Sequence, residues 1–347
     1  MNSLIGPCIP AASSIALATF ATVAPASAQE VYVRVVDVGA GLCVVGVTPD
    51  AHALVYDAGK DVDTCLSAVR ELVPNKKIDL FVLSHSDLDH IGAARAILAE
   101  NDVATIIHPG DARPGLGALR ASIAAEPGAD VWNLAVRPVP FGKQFTLGAA
   151  TVTFVAGWSN GNATRTHGEK KLTDAMRNNA LSSVVRLEFA GHSLLLTGDT
   201  VGRFEYEKGT PCEFAERIMV DNDATVRLKS DVLAGQHHGA DNATANCFIR
   251  AVQPTYVVFS AGNSYGHPRQ STADRLVASG IPPDNIFRTD RGGSEKATTP
   301  ASAQWVYKTY AGCIDAKGDD DVEIHLPADP AAQVTVNYRT AKDRCEP

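Results

Sequence analysis

Short apolar runs recur along the chain, and their residue content separates strands from helices. Residues 31–36, 42–47, 53–56 and 80–83 are dense in β-branched and aromatic side chains and are bounded by Gly, Asp or Ser, which predicts strands. Residues 61–73 instead place Val62, Leu66, Val69 and Leu72 at three- and four-residue spacing, the period of an amphipathic helix. Helices follow over 93–100 and 116–125, with strands at 105–107, 144–147 and 151–155. The second half repeats the mixture. A hairpin of 183–189 and 193–196 turns at Gly191, strands follow at 231–233 and 255–260, and a helix spans 271–279. Strands near 304–310, 322–326 and 334–338 close the chain. Two halves that each alternate strands and helices predict an α+β fold in four αββα layers, sheet against sheet with helices outside.

Two stretches depart from this pattern. Residues 1–28 contain no Asp, Glu, Lys or Arg, carry an apolar run at 15–21 and end in Ala26-Ser27-Ala28. That is the form of a secretory signal peptide, although the usual basic residue before the apolar run is missing. The run is too short to span a bilayer as a mature helix, and no later segment is long enough. A secreted or periplasmic protein with no membrane span in the mature chain is therefore expected. Residues 157–180 are polar, with Arg165, Lys170, Lys171 and Arg177 against Glu169 and Asp174. They read as a solvated insertion or a flap facing substrate.

Composition narrows the picture. Lys and Arg number 31 against 39 Asp and Glu, a net charge of −8, so no overall field draws the chain to a polyanion. Six cysteines follow the leader: Cys43, Cys65, Cys212, Cys247, Cys313 and Cys345. An even number after an export signal predicts disulfides. Nearest-neighbour pairing gives 43–65, 212–247 and 313–345, although spacing alone leaves the connectivity open.

The chemistry concentrates in residues 84–90, Ser-His-Ser-Asp-Leu-Asp-His, between the strand at 80–83 and a helix start. His85, Asp87, Asp89 and His90 are all metal-ligand types on one strand-end loop, a density that a solvated surface does not need. Asp57, Asn179, Ser182, Asp199 and His237-His238 sit at or near other strand ends, where loops of layered folds converge.

Taken in order, these segments resemble the metallo-β-lactamase superfamily, and within it the hydrolase domain of the ComEC competence protein and its free-standing relatives. The resemblance rests on Asp37-Val38-Gly39-Ala40-Gly41-Leu42, His85 to Gly92, Asn179 with Ser182, Leu195 to Asp199, and His237 to Gly239. It continues through Ser260, Gly262, Asn263, Tyr265, Gly266, His267 and Pro268, and through Thr289, Asp290 and Gly293. It covers roughly residues 31–297. Three departures stand out. Ala40 and Leu42 replace polar residues of the opening turn. Asp87 stands where the wider superfamily has a histidine. No strand-end histidine lies between Asp89 and Asp199, so Asn179, or failing it His167, stands in.

The resemblance implies a metallo-β-lactamase-fold hydrolase domain over 29–300, after the leader 1–28 and before a β-rich extension 301–347. It also implies two divalent ions. One site takes His85, Asp87, Asn179 and Asp199; the other takes Asp89, His90, His237 and the shared Asp199. Oxygen-rich ligands suit hard ions, so Mn²⁺ is preferred at the first site, with Zn²⁺ and Mg²⁺ open. Of the two adjacent histidines, His237 is expected on metal and His238 behind it, with Asp37 and Asp57 as supporting or turn residues. Asp89 is expected to orient a metal-activated hydroxide. Ser182, Asn263 and His267 are expected to face substrate, with His267 aiding the leaving group. His52, His108, His192 and His325 are expected to be structural. The implied substrate is a phosphodiester, with DNA leading and no obligate protein partner. The alternatives are hydrolysis of a small lactam, lactone or thioester on the same scaffold, and a non-catalytic binding protein.

Overall fold

A computed structural model describes residues 29–110, 116–157, 172–262, 265–289, 303–305 and 320–340. The expected leader, His167, Lys170, Lys171, Asn263, Asp290, Arg291, Cys313 and Cys345 lie outside them. The first half contributes β1 (Glu30–Val35), β2 (Val44–Val47), β3 (Ala53–Tyr56), β4 (Lys77–Val82), β5 (Asp102–His108) and β6 (Asp130–Asn133). The second contributes β7 (Gln144–Leu147), β8 (Ala150–Ala156), β9 (Val184–Phe189), β10 (His192–Leu196), β11 (Val232–Ala234), β12 (Tyr256–Phe259) and β13 (Ile286–Arg288). Two late strands, β14 (Val322–Pro327) and β15 (Thr335–Tyr338), follow. The first sheet runs β15-β14-β1-β2-β3-β4-β5-β6 and the second β13-β12-β11-β10-β9-β8-β7.

The helices are α1 (Val62–Leu72), α2 (Leu88–Ile91), α3 (Ala94–Glu100), α4 (Gly117–Ala124), α5 (Asp174–Ala180), α6 (Phe214–Asp221), α7 (Asp223–Val226), α8 (Asn246–Val252) and α9 (Gln270–Ala278). Alternation within the strands builds the layers. Leu80 and Val82 of β4 point between the sheets, where they meet Val152, Val185, Leu194 and Val258. Phe81 points the other way, onto Leu66 and Val69 of α1 and Ile97 of α3. Leu195, Leu233 and Phe259 likewise pack outward against Met219, Phe248 and Leu276. Strands covered on both faces must be apolar at every position, which is why they read as unbroken runs.

The expected C-terminal strands at 322–326 and 334–338 exist, and they complete the first sheet. β14 pairs antiparallel with β1 from Glu30↔Pro327 to Val35↔Val322. It removes an open edge and sends Val322, Ile324 and Leu326 into the inter-sheet core. Of the strand expected near 304–310, Gln304 forms an isolated bridge to Arg269, and 306–310 lie outside the described residues. β6 and α5 to α8 had no strong periodic signal. Cys43–Cys65 and Cys212–Cys247 are disulfide-bonded, two of the nearest-neighbour pairs.

Candidate metal centre

β3 and β4 run parallel, as do β10, β11 and β12, so their C-terminal ends collect at one end of the sandwich. That end gathers Asp57 after β3, the 84–90 loop after β4, Asp199 after β10, His237-His238 after β11 and Ser260 after β12. Two glycines make the convergence possible. A Cβ on Gly198 would lie 2.7 Å from Ser84 Cβ, and one on Gly41 would lie 2.5 Å from the Asp89 carbonyl oxygen. Side chains at either position would push the loops apart. The Leu42 N–H also donates to that Asp89 carbonyl, which ties the opening turn to the metal-type loop.

Asp199 is the hub. Its Oδ1 lies 3.3 Å from His90 Nε2 and 3.4 Å from His238 Nε2, and its Oδ2 lies 3.8 Å from His85 Nε2 and 3.9 Å from His237 Nε2. Carboxylates join each side. Asp87 Oδ2 is 3.5 Å from His85 Nε2, and Asp89 Oδ2 is 3.9 Å from His238 Nε2. Two sets of three donor atoms are close enough to share one ion: His85, His90 and Asp199, and Asp89, His90 and His238.

Every imidazole around Asp199 is held from behind. His90 Nδ1 donates to Asp57 at 2.8 Å, and His85 Nδ1 donates to Ser84 Oγ at 3.0 Å, whose own proton goes to Asp57. His238 Nδ1 donates to the Ser260 carbonyl at 2.6 Å, and His237 Nδ1 donates to Asn242 Oδ1 at 2.8 Å. With each Nδ1 engaged from behind, all four Nε2 atoms turn toward Asp199, the edge a metal ligand presents. His85 Nε2, Asn179 Oδ1 and Asp199 Oδ1 are buried with no hydrogen-bond partner. Buried polar atoms are seldom left so, and the His85 and Asp199 atoms, which lie in one donor set with His90, fit a cation. The donor set therefore suits divalent metal.

Charge follows the same geometry. Burial opposes charge on His90, but Asp199 and Asp57 outweigh it and hold its imidazolium well above the ordinary range. Burial also opposes the Asp199 carboxylate, yet His238, His90 and His237 hold it well below the ordinary value. Burial, aided by the neighbouring His237 and His238, pushes His267 well down. A neutral His267 is a hydrogen-bond donor rather than a carrier of an extra proton.

Several expectations change. His238, not His237, meets Asp89 and His90; His237 faces Asp199 Oδ2 and receives the Asn179 amide N–H at 3.1 Å. Both histidines are left-handed, with φ of 46° and 55°, so consecutive side chains can serve opposite sides of Asp199. Ser182 is buried, and its hydroxyl accepts the Asp199 N–H, so it orients the hub. Asp37 accepts the Gly39 N–H in the opening turn, as a turn residue does. Asp57 supports His90 directly. His267 sits beside His237 with ring centroids 5.9 Å apart. Asn263 is outside the described residues.

Some contributors carried little sequence signal. Ser84 was visible only as the polar residue before His85, and Asn242 as one polar residue in a loop. Glu216 gave none: it is one acid on α6. It is fully buried and accepts N–H bonds from Thr244 at 2.6 Å, Ala245 at 2.8 Å and the Gln236 amide at 3.3 Å. It thus fastens both ends of the segment that carries the two histidines. Burial, against those two backbone donors, pushes its pKa up to about 7.

A sequence model of the metallo-beta-lactamase superfamily matches residues 36–262, which include all of these groups except His267. The chain belongs to the metallo-β-lactamase superfamily. ComE operon protein 3 of Bacillus subtilis (strain 168) is 27% identical over 240 residues, 68% of this chain and 26% of that protein. Competence protein ComA of Neisseria gonorrhoeae is 28% identical over 295 residues, 81% of this chain and 35% of that protein. The chain thus spans about a third or less of the length of these relatives. Among solved structures, the metallo-beta-lactamase fold protein YhfI from Bacillus subtilis aligns with a TM-score of 0.43 at 12% identity, over 74% of this chain and 95% of that one. Metal-dependent hydrolase is the coarse activity that superfamily membership supports. Among the described residues, no helix is long and apolar enough to cross a membrane.

Proposed function

We propose that this chain is an exported phosphodiesterase that cleaves nucleic acid, with DNA the leading substrate, using two divalent ions (Mn²⁺ or Zn²⁺, with Mg²⁺ a further choice). The observation that carries the reading is the division of donors around Asp199. Each carboxylate oxygen faces its own pair of imidazoles, and Asp87 brings an oxygen ligand where the superfamily loop has a histidine. A more oxygen-rich set favours hard ions and phosphoryl oxygens. The resemblance to the ComEC hydrolase domain points the same way. Two disulfides and the uncharged apolar leader support a secreted or periplasmic location.

Bound ions would supply a hydroxide from water near neutral pH and a Lewis acid for the phosphoryl oxygen. The chain's own groups do the rest. Asp89, a quarter exposed and on the His238 side, orients the attacking water with its carboxylate. Asp57 and Ser84 keep His90 and His85 in the ligand tautomer. Ser182 holds Asp199 in place through its backbone N–H. Neutral His267 donates a hydrogen bond to a phosphate oxygen beside His237.

The test is turnover of linear DNA, circular DNA and bis-p-nitrophenyl phosphate by protein loaded with Mn²⁺, Zn²⁺ or Mg²⁺, beside a chromogenic β-lactam. Phosphodiester cleavage that Asp199→Ala abolishes is expected. Cleavage of the lactam alone, or an active Asp199→Ala protein, sinks the reading.

A further inference from the structure

The loop carrying His267 holds a feature that bond cleavage does not use. Tyr265 is 62% exposed, one of three large hydrophobic side chains exposed to at least that degree among the described residues. Its ring stacks on His267, with centroids 6.2 Å apart and planes 25° from parallel. His267 in turn lies against His237 of the metal-type cluster. One face of the phenol is therefore braced by an imidazole that borders the site, while the ring remains open to solvent. Leu88, also 62% exposed, adds an apolar surface on the metal-type loop between Asp87 and Asp89.

A braced aromatic ring at the rim of a metal-type site is suited to a nucleotide. The ring offers a face on which any base can stack. Bracing lowers the ordering cost of binding, since the ring is already held. A base inside a duplex is stacked on its neighbours and has no free face to offer.

We propose that Tyr265 is the stacking platform for an unpaired nucleobase next to the scissile phosphodiester. The lip then selects single-stranded or frayed nucleic acid over phosphodiesters that lack a base. This rests on the phosphodiesterase reading above and specifies its substrate.

The experiment is a cycle on the metal-loaded full chain. Wild type, Tyr265→Ala and Tyr265→Phe are each assayed on a single-stranded oligodeoxynucleotide and on the same strand with abasic residues. On the normal strand, Tyr265→Ala raises KM on the order of 10- to 100-fold with little change in kcat, and Tyr265→Phe recovers most of the loss. Removing the bases costs wild type a similar factor, and removing ring and bases together costs no more than removing either. Additive losses, a fall in kcat that Phe does not rescue, or equal cleavage of both strands by wild type overturns the stacking proposal alone. A wild-type protein that cleaves neither strand with any of the three metals overturns the phosphodiesterase reading and this proposal with it.

Discussion

Each imidazole around Asp199 has an oxygen behind it, and that oxygen decides which nitrogen is free. Asp57 is the most demanding of these supports. It accepts from the Ser84 N–H, the Ser84 hydroxyl and His90 Nδ1, at 2.7, 2.6 and 2.8 Å, with no exposure to solvent. It also sits at φ 57°, a conformation that Asn tolerates better than most residues. Asp57→Asn therefore preserves the turn and puts an N–H₂ among three donors. The expected result is a 10- to 100-fold loss of metal affinity, as for other groups that orient ligands, read by competition with a chromophoric chelator. Unchanged affinity would mean that the His90 tautomer is set elsewhere.

At the scale of elements, strand ends deliver the candidate ligands, but one turn decides how they divide. The His237-His238 turn has two consecutive left-handed residues, each costing about 1 kcal/mol or more, and the surroundings must hold it. Glu216 on α6 is one holder, gripping Gln236 before the turn and Thr244 and Ala245 after it. Its folded pKa of about 7 stands above the ordinary 4.5. Between those values the folded chain binds more protons than the unfolded one, so stability falls as pH rises. The contribution is complete below pH 4.5 and lost as pH rises through about 7, with a full size of about 3 kcal/mol. In Glu216→Gln this pH dependence is absent. Urea unfolding of both proteins from pH 4.5 to 8 should show wild type losing stability relative to the variant. A constant difference across that range would contradict the account.

At the scale of the molecule, the centre bridges the two sheets. Asp57, His85, Asp87, Asp89 and His90 follow strands of the first, and Asp199, His237 and His238 follow strands of the second. An ion bound there ties the layers together and stabilises the folded state alone, by about 4 kcal/mol at a thousandfold excess over Kd. Chelation is expected to lower Tm by on the order of 10 °C and to abolish hydrolysis, with both restored by adding metal back. A Tm that does not respond to chelator would detach the ions from the fold.

Much of this was legible in one dimension because the signals are local. The 84–90 heptad, Asp199 after an apolar run and the His-His-Gly segment are each contiguous. Strands buried on both faces announce themselves as apolar runs, and helices by their spacing. The two disulfides seen are those of nearest neighbours. Pairings between distant segments left no such mark: Asp57 with His90, Ser182 with Asp199, Glu216 with Thr244, and β14 against β1. The choice between His237 and His238 was equally hidden, because it depends on two backbone angles and on what waits across the sheet interface. The chain by itself determined the layer architecture and which residue types would meet. Only the tertiary structure decided which atoms face one another, since orientation comes from hydrogen bonds made after the sheets have packed.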